Sequence, residues 1–198
     1  MTHLKVQGFT GDTVKPYIPD LARLRREVFR EYPYLYEGTV EYEEKYLKRF
    51  IQYPDAILVL VFDGDRIVGA STGSPLEYAH DFQAPLKNAG INIADYFYCG
   101  ESVLEKKYRG RGIGNQFFDL REAHAKKIGR FRYSCFCAVD RPKSDPKRPV
   151  DYRPLDDFWG KRGYIKHPEL VAHLSWPEVG TEEETEKPLV FWIKNLSE

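Results

Sequence analysis

The sequence is poor in the residues that staple a chain, ligate a metal or cross a membrane. Its three cysteines, Cys99, Cys135 and Cys137, offer no even disulfide framework and no Cys-x-x-Cys pair. So few thiols suit a reducing compartment, and the cytoplasm is the expected setting. None of the five histidines, His3, His80, His124, His167 and His173, has another three or four residues away, so no metal site is expected. Charge of one sign is not in excess either, with 30 Lys+Arg against 30 Asp+Glu, and without a global field nucleic acid is not an expected partner. No apolar run approaches a membrane span, and the opening Met1-Thr2-His3-Leu4-Lys5 has no apolar signal segment, so no membrane association is expected.

What is present is a chain of 198 residues, enough to bury about 70% of its extended surface in one core. A single domain over residues 1–198 is expected, without repeats. Leu4 to Phe9 alternates as an opening strand. Pro19 to Glu31 and Glu41 to Ile51 each carry apolar residues at helical spacing. Ile57 to Phe62 is continuously apolar, and Asp63-Gly64 turns it into Arg66 to Ser71, which makes a hairpin. Tyr96 to Leu104 and Arg132 to Val139 read as strands around a helix that ends near Lys127, with Gly129 as its stop and Ile113, Phe117, Leu120, His124 and Ile128 on one stripe. Leu170 to Trp176 and Leu189 to Ile193 form a last strand pair around an acidic turn, Glu182 to Glu186. The links Ser74–Asp95 and Asp140–Arg153 are long, and the second gathers Arg141, Lys143, Lys147, Arg148 and Arg153, cations suited to a phosphate or an anionic acceptor.

Tyr108 to Asn115 reads Tyr-Arg-Gly-Arg-Gly-Ile-Gly-Asn, between the strand Tyr96 to Leu104 and the patterned helix. Glycines on alternate positions let the backbone turn tightly beside a ligand, and the first N–H groups of the helix point out without partners. Phosphate oxygens suit these donors, and Arg109 and Arg111 add full charge. Asn115-Gln116 stands where a P-loop needs Lys-Ser/Thr, which argues against a nucleoside triphosphate. A dinucleotide fingerprint finds Gly110 and Gly112 and an acid in Asp140, but Asn115 replaces its third glycine, so a nucleotide-dependent oxidoreductase is a weaker alternative.

The run Leu104 to Gly114 resembles the acyl-CoA-binding motif of the Gcn5-related N-acetyltransferase (GNAT) family, Arg/Gln-x-x-Gly-x-Gly/Ala, with Arg109, Gly112 and Gly114 at the defining positions. The likeness extends to the upstream hairpin, the motif helix, the strand Arg132 to Val139 and a short helix closing on Gly163-Tyr164, and so to most of the chain. It implies an α/β fold with a central twisted mixed β-sheet flanked by helices. It also implies acetyl-CoA as co-substrate, held by Val103, Leu104, Arg109, Gly110, Arg111, Gly112, Ile113, Gly114 and Asn115, and an amine of a small molecule or peptide as acceptor. The oligomeric state stays open, a homodimer included.

Acyl transfer to an amine needs a base, an oxyanion donor and a proton for the departing thiolate. The resemblance places Glu101 near a catalytic glutamate carried by some members. It places the oxyanion donor at the backbone N–H around Leu104, where the family splays this strand to admit pantetheine. Many members carry a tyrosine acid four residues before the glycine of the closing pair, and this chain has Trp159 there. An indole N–H donates a hydrogen bond but gives up no proton near neutral pH. Tyr152 is the expected substitute acid, with bulk water as the alternative, since a thiolate is a tolerable leaving group. Direct acetyl transfer to an amine is therefore expected, with a non-catalytic acyl-CoA-binding or sensing module as the alternative that Trp159 favours. Cys135 and Cys137 are read as packed thiols rather than acyl carriers, and His124 as a satisfied core histidine.

Overall fold

The computed structural model describes residues 4–197. Seven strands form one sheet: β1 (Lys5–Thr10), β2 (Ile57–Asp63), β3 (Arg66–Pro75), β4 (Tyr96–Leu104), β5 (Tyr133–Val139), β6 (Ile165–Pro177) and β7 (Glu184–Asn195). Their order is β1-β2-β3-β4-β5-β7-β6, and every neighbouring pair is antiparallel except β4 with β5. This is the mixed sheet that the resemblance to the GNAT family implies.

Helices α1 (Ile18–Phe29) and α2 (Val40–Phe50) cover one face of the sheet through Leu21, Leu24, Leu47 and Phe50, which pack on Leu58, Leu60, Ala70 and Val103. Thr39 caps α2 by accepting a hydrogen bond from the Tyr42 N–H at 3.2 Å. The other face is covered by α4 (Ile113–Ile128) and α5 (Asp156–Lys161), whose Ile113, Phe117, Phe118 and Phe158 meet Val59, Val68, Phe97 and Phe136. A short α3 (Ala84–Asn88) and single 3-10 turns occupy the link before β4. Gly129 ends α4 in the left-handed conformation, as its position after the apolar pattern predicts.

Three sequence expectations shift. The buried stripe of α4 runs through Ile113, Phe117, Phe118, Arg121, Glu122 and Ala125, one position round from the expected one. His124 is only half-buried, satisfied by the Asp55 carbonyl at 2.9 Å from Nε2 and packed edge-on to Phe97. The acidic turn is shorter than Glu182 to Glu186, because β7 begins at Glu184 and pairs Glu184, Thr185 and Glu186 with Pro177, Trp176 and Ser175. Alternation of these residues across an edge pair keeps their charges solvated while the ladder continues.

Candidate active site

The parallel contact between β4 and β5 covers only Tyr96 to Tyr98 opposite Tyr133 to Cys135. Beyond it β5 continues along β7 to Val139, while β4 continues along β3 to Leu104, so the two strands part and leave a gap in the sheet. Backbone groups on the β4 side of that gap have no neighbouring strand. The N–H of Glu101 faces β3, donating to Thr72 Oγ1 at 3.3 Å, and that of Glu105 donates to the Val68 carbonyl at 3.0 Å. Strand alternation therefore turns the N–H groups of Ser102 and Leu104 into the gap. The Leu104 carbonyl on the same side accepts from Arg109 Nε at 3.0 Å.

A β-bulge aims the residues of this strand. Ser71 pairs with Ser102 and Gly73 with Cys99, so Thr72 alone stands opposite Gly100 and Glu101. The extra residue reverses the side-chain alternation. Phe97 and Cys99 face α4, whereas Val103, an even number of residues on, packs against α1 and α2. Glu101 turns with Val103 towards α1 and α2. A Cβ at Gly100 would lie 2.6 Å from Thr72 Oγ1, so only glycine fits the bulge. From the α4 side, buried Arg121 donates through Nη1 to the Thr72 carbonyl at 3.1 Å and through Nε to the Phe117 carbonyl at 3.1 Å.

Glu101 is buried and ion-paired. Its Oε2 lies 2.8 Å from Arg25 Nη1 and 3.4 Å from the Tyr46 hydroxyl, and Arg25 Nε also donates to Glu43. Burial opposes the Arg25 charge, and Glu101, Tyr46 and Glu43 outweigh it, so the guanidinium is held charged. The phenols of Tyr34 and Tyr46 are pushed up, first by burial and then by neighbours that include the Glu101 charge. Tyr152 lies on the proline-containing link, its ring 4.6 Å from that of Tyr32, and burial raises its hydroxyl pKa. Cys135 and Cys137 are buried on β5 with pKa values well above the usual thiol range because burial disfavours the thiolate, which suits packed thiols rather than nucleophiles.

At the outer end of the gap, Gly110 and Gly112 adopt φ of 75° and 79°, left-handed values that favour glycine, and Gly112 is the N-cap of α4. Asn115 and Gln116 N–H groups turn back to the Gly112 carbonyl at 3.1 and 3.4 Å, and among the described residues those of 110–114 find no backbone acceptor. Such a turn at a helix N-terminus, next to the gap, can cradle an anion. Arg109 Nη1 and Nη2 engage Glu31 at 2.7 and 2.8 Å, and Arg111 donates to the Lys107 carbonyl at 3.1 Å. Val103 is buried under α1 and α2, and Ile113 is buried beneath the cradle. Gly114 lets α4 approach Phe158, since a Cβ there would lie 3.3 Å from that ring. Asn115 Oδ1 accepts from Arg162 Nη1 at 3.0 Å.

Sequence comparison gives no match, either to a family model or to a curated protein. Comparison of folds does. An acetyltransferase of Thermus thermophilus superposes with a TM-score of 0.58 at 15% identity, covering 97% of this chain and 96% of its own. A putative acetyltransferase of Salmonella typhimurium, solved with its cofactor acetyl-CoA, gives 0.62 at 8% identity over 99% and 95%. The ribosomal-protein-alanine N-acetyltransferase of Brucella melitensis gives 0.61 at 11% over 96% and 99%. The chain has the GNAT acetyltransferase fold. Trp159 of α5 lies across the gap from β4, its ring 5.0 Å from that of Phe136 on β5 and 5.2 Å from that of Trp192 on β7.

Sequence reasoning singled out Glu101, the glycine turn and Trp159, and did not single out Arg25, Glu43, Tyr46 and Arg121, which the structure packs around β4. Two of these carried a signal. Arg25 falls four residues after Leu21 and Glu43 four before Leu47, each inside the apolar stripe of its helix, where a charge needs a buried partner. The expected basic link also changes character. Arg141 pairs with Asp145 at 3.1 Å and with Glu178, and Lys147 pairs with the same Glu178, so two of its five cations are spent tying the link to the β6–β7 turn.

Proposed function

We propose that this chain is an acyl-CoA-dependent N-acyltransferase that moves an acetyl group from acetyl-CoA directly to an amine of a small molecule or peptide. The observation that carries the reading is the gap between β4 and β5 running into the cradle at 110–114, because one extended ligand with a phosphate end and an amide-bearing arm fits that course. The N–H groups of 110–114, with Arg109 and Arg111 beside them, hold the pyrophosphate. The Leu104 N–H stabilises the oxyanion that develops on the thioester carbonyl. Glu101 accepts the amine proton through Oε1, its oxygen without a protein partner, while Arg25 and Tyr46 fix Oε2. Tyr152, kept protonated by its raised pKa, returns a proton to the thiolate.

A second reading, an acyl-CoA-binding or sensing module without turnover, is favoured by one observation. Trp159 holds the position of the usual tyrosine acid and is packed between Phe136 and Trp192. Thermal unfolding with acetyl-CoA and an amine panel tests both. Acetyl-CoA at a hundredfold excess over its dissociation constant stabilises the fold by about 2.7 kcal/mol. Gly112→Val removes that shift, because a branched side chain is strained at a φ of 79° and stands beside the cradle N–H groups. A shift with acetylated product supports the transferase, a shift without product the sensor, and no shift at millimolar acetyl-CoA overturns both.

A further inference from the structure

Arg121 is a buried charge without a counter-ion. It lies in the middle of α4, 1% exposed, and among the described residues no carboxylate pairs with it, since the neighbouring Glu122 is taken by Tyr164, Arg162 and Lys194. Burying a cation in this way is costly, and a residue kept at such a cost has work to do. What it meets are carbonyls. Nε donates to the Phe117 carbonyl of its own helix, and Nη1 faces two carbonyls of the sheet, that of Thr72 at 3.1 Å and that of Glu101 at 3.5 Å. The ring of Phe118 lies 4.6 Å from the guanidinium carbon and packs against it.

Both sheet carbonyls belong to the β-bulge. A bulge disrupts the ladder locally, and carbonyls that it turns out of line need donors of another kind. Thr72 secures the same point with its side chain, whose Oγ1 accepts from the Glu101 N–H at 3.3 Å. One guanidinium on α4 thus holds β3 and β4 where they fall out of step. The step decides which way the end of β4 faces. Side chains and N–H groups both alternate with period two, so a ladder continued from the Gly73–Cys99 pair without the bulge would set Ser71 opposite Glu101 instead of Ser102. The N–H groups of Ser102 and Leu104 would then turn from the gap to β3. The Glu101 carbonyl has a further part, because it shares a peptide unit with the Ser102 N–H. A cation beside the carbonyl polarises that unit and makes the N–H a stronger donor. Ser102 is exposed and Leu104 half-buried, so the margin that carries these donors is open.

We infer that Arg121 is a positioning residue of the transfer site: by holding the bulge from α4, it keeps the Ser102 and Leu104 N–H groups in the gap as donors to the acyl-CoA arm and its thioester carbonyl. This rests on the transferase reading above. Arg121 acts through the backbone of Thr72 and Glu101, and the cradle at 110–114 lies about two turns away along α4. Its loss therefore falls on turnover more than on the affinity for CoA, whose phosphates the cradle holds.

Arg121→Met, which keeps an unbranched side chain and loses every donor, tests this with Arg121→Lys beside it. Cross-strand NMR contacts read the bulge directly: the parent shows Ser71 opposite Ser102, and in Arg121→Met that contact is expected to be lost, with Ser71 opposite Glu101. With acetyl-CoA and an amine that the parent acetylates, kcat should fall about tenfold or more in Arg121→Met, while the dissociation constant of CoA by calorimetry changes by less than about threefold. Arg121→Lys keeps the charge and reaches fewer carbonyls, so its kcat should lie between the two. A retained thermal shift with CoA identifies a folded variant. Should Arg121→Met fail to fold, Arg121→Lys carries the test, with a weakened Ser71–Ser102 contact and a kcat lowered about threefold or more at unchanged CoA affinity. A folded variant that is merely less stable, with the parent's strand contacts and kcat, overturns the inference, as does a lost bulge with parental kcat, and both leave the transferase standing. A lost bulge in a protein whose parent acetylates no amine sinks the transferase reading and keeps Arg121 as the residue that sets the gap-facing amides.

Discussion

Arg109 grips Glu31 through both terminal nitrogens, at 2.7 and 2.8 Å, and so ties the cradle to the end of α1. Both side chains are about two-fifths exposed, at 39% and 43%, and an exposed pair of this kind is worth about 1 kcal/mol or less. Arg109 also donates to the Leu104 carbonyl, so its loss costs more than the pair alone. Arg109→Ala should weaken acetyl-CoA binding about tenfold, and Glu31→Ala by less than about threefold, as measured by calorimetry at low salt. Equal losses would make the pair itself, rather than the contact to Leu104, the anchor of the cradle.

Glu101→Gln keeps the shape of the side chain and its contact with Tyr46 but loses basicity. Turnover of an alkylamine should fall about a hundredfold or more at neutral pH with acetyl-CoA affinity nearly unchanged. The deficit should narrow at pH 9, where more of the acceptor is already neutral. A pH profile parallel to the parent's would give Glu101 a structural role beside Arg25.

Trp159→Tyr would place a phenol on α5 where the chain has an indole. If protonation of the thiolate limits turnover, the variant should be faster, although losing the larger ring between Phe136 and Trp192 costs about 1–2 kcal/mol of stability. Tyr152→Phe should slow the parent and leave the Trp159→Tyr variant nearly unaffected. Steady-state rates for the two single variants and the double variant check this, and a slower Trp159→Tyr enzyme would mean that the indole shapes the pocket.

Glu178 ties the β6–β7 turn to Arg141 and Lys147. Burial pushes its pKa up, but the hydrogen bonds from those two cations outweigh it and bring the value from 4.5 to about 2. A depressed carboxylate stabilises the fold fully above its unfolded pKa and loses that contribution as pH falls through the folded value. Glu178→Gln should therefore lower the melting temperature most above about pH 5, with the gap to the parent closing between about pH 4.5 and pH 2. A gap independent of pH would assign the stabilisation to packing.

Most elements follow from local rules. Apolar periodicity predicts α1 and α2 to within a residue or two, and β4 from Tyr96 to Leu104 as it stands, because each buries one continuous surface. The tight turn into α4 is legible for a similar reason, since Gly110 and Gly112 take the left-handed conformations that alternate glycines permit. The direction of Glu101 is not. Period-two alternation from Phe97 and Cys99 would send it towards α4, and the bulge that sends it towards Arg25 arises from strand pairing, with Gly100 as its only local trace. The Arg25–Glu43–Glu101 cluster joins α1, α2 and β4, and no local window contains it. Arg121 falls one position outside the stripe that the apolar pattern predicts, and a buried arginine that satisfies backbone carbonyls has the sequence appearance of a solvated one.

The parting of β4 from β5 has a mechanical consequence. Four strands on one side and three on the other are stitched along this seam at three residue pairs, against seven between β5 and β7. The sheet is thus two leaves on a short hinge, and the amides of Ser102 and Leu104 lie along the open margin of one leaf. A ligand lying in that margin would act as the strand that is missing, sharing hydrogen bonds with one leaf while its bulk props the other. Occupancy would then be written into the stiffness of the whole sheet, and the open amides, fast to exchange with solvent when the margin is bare, would report it residue by residue.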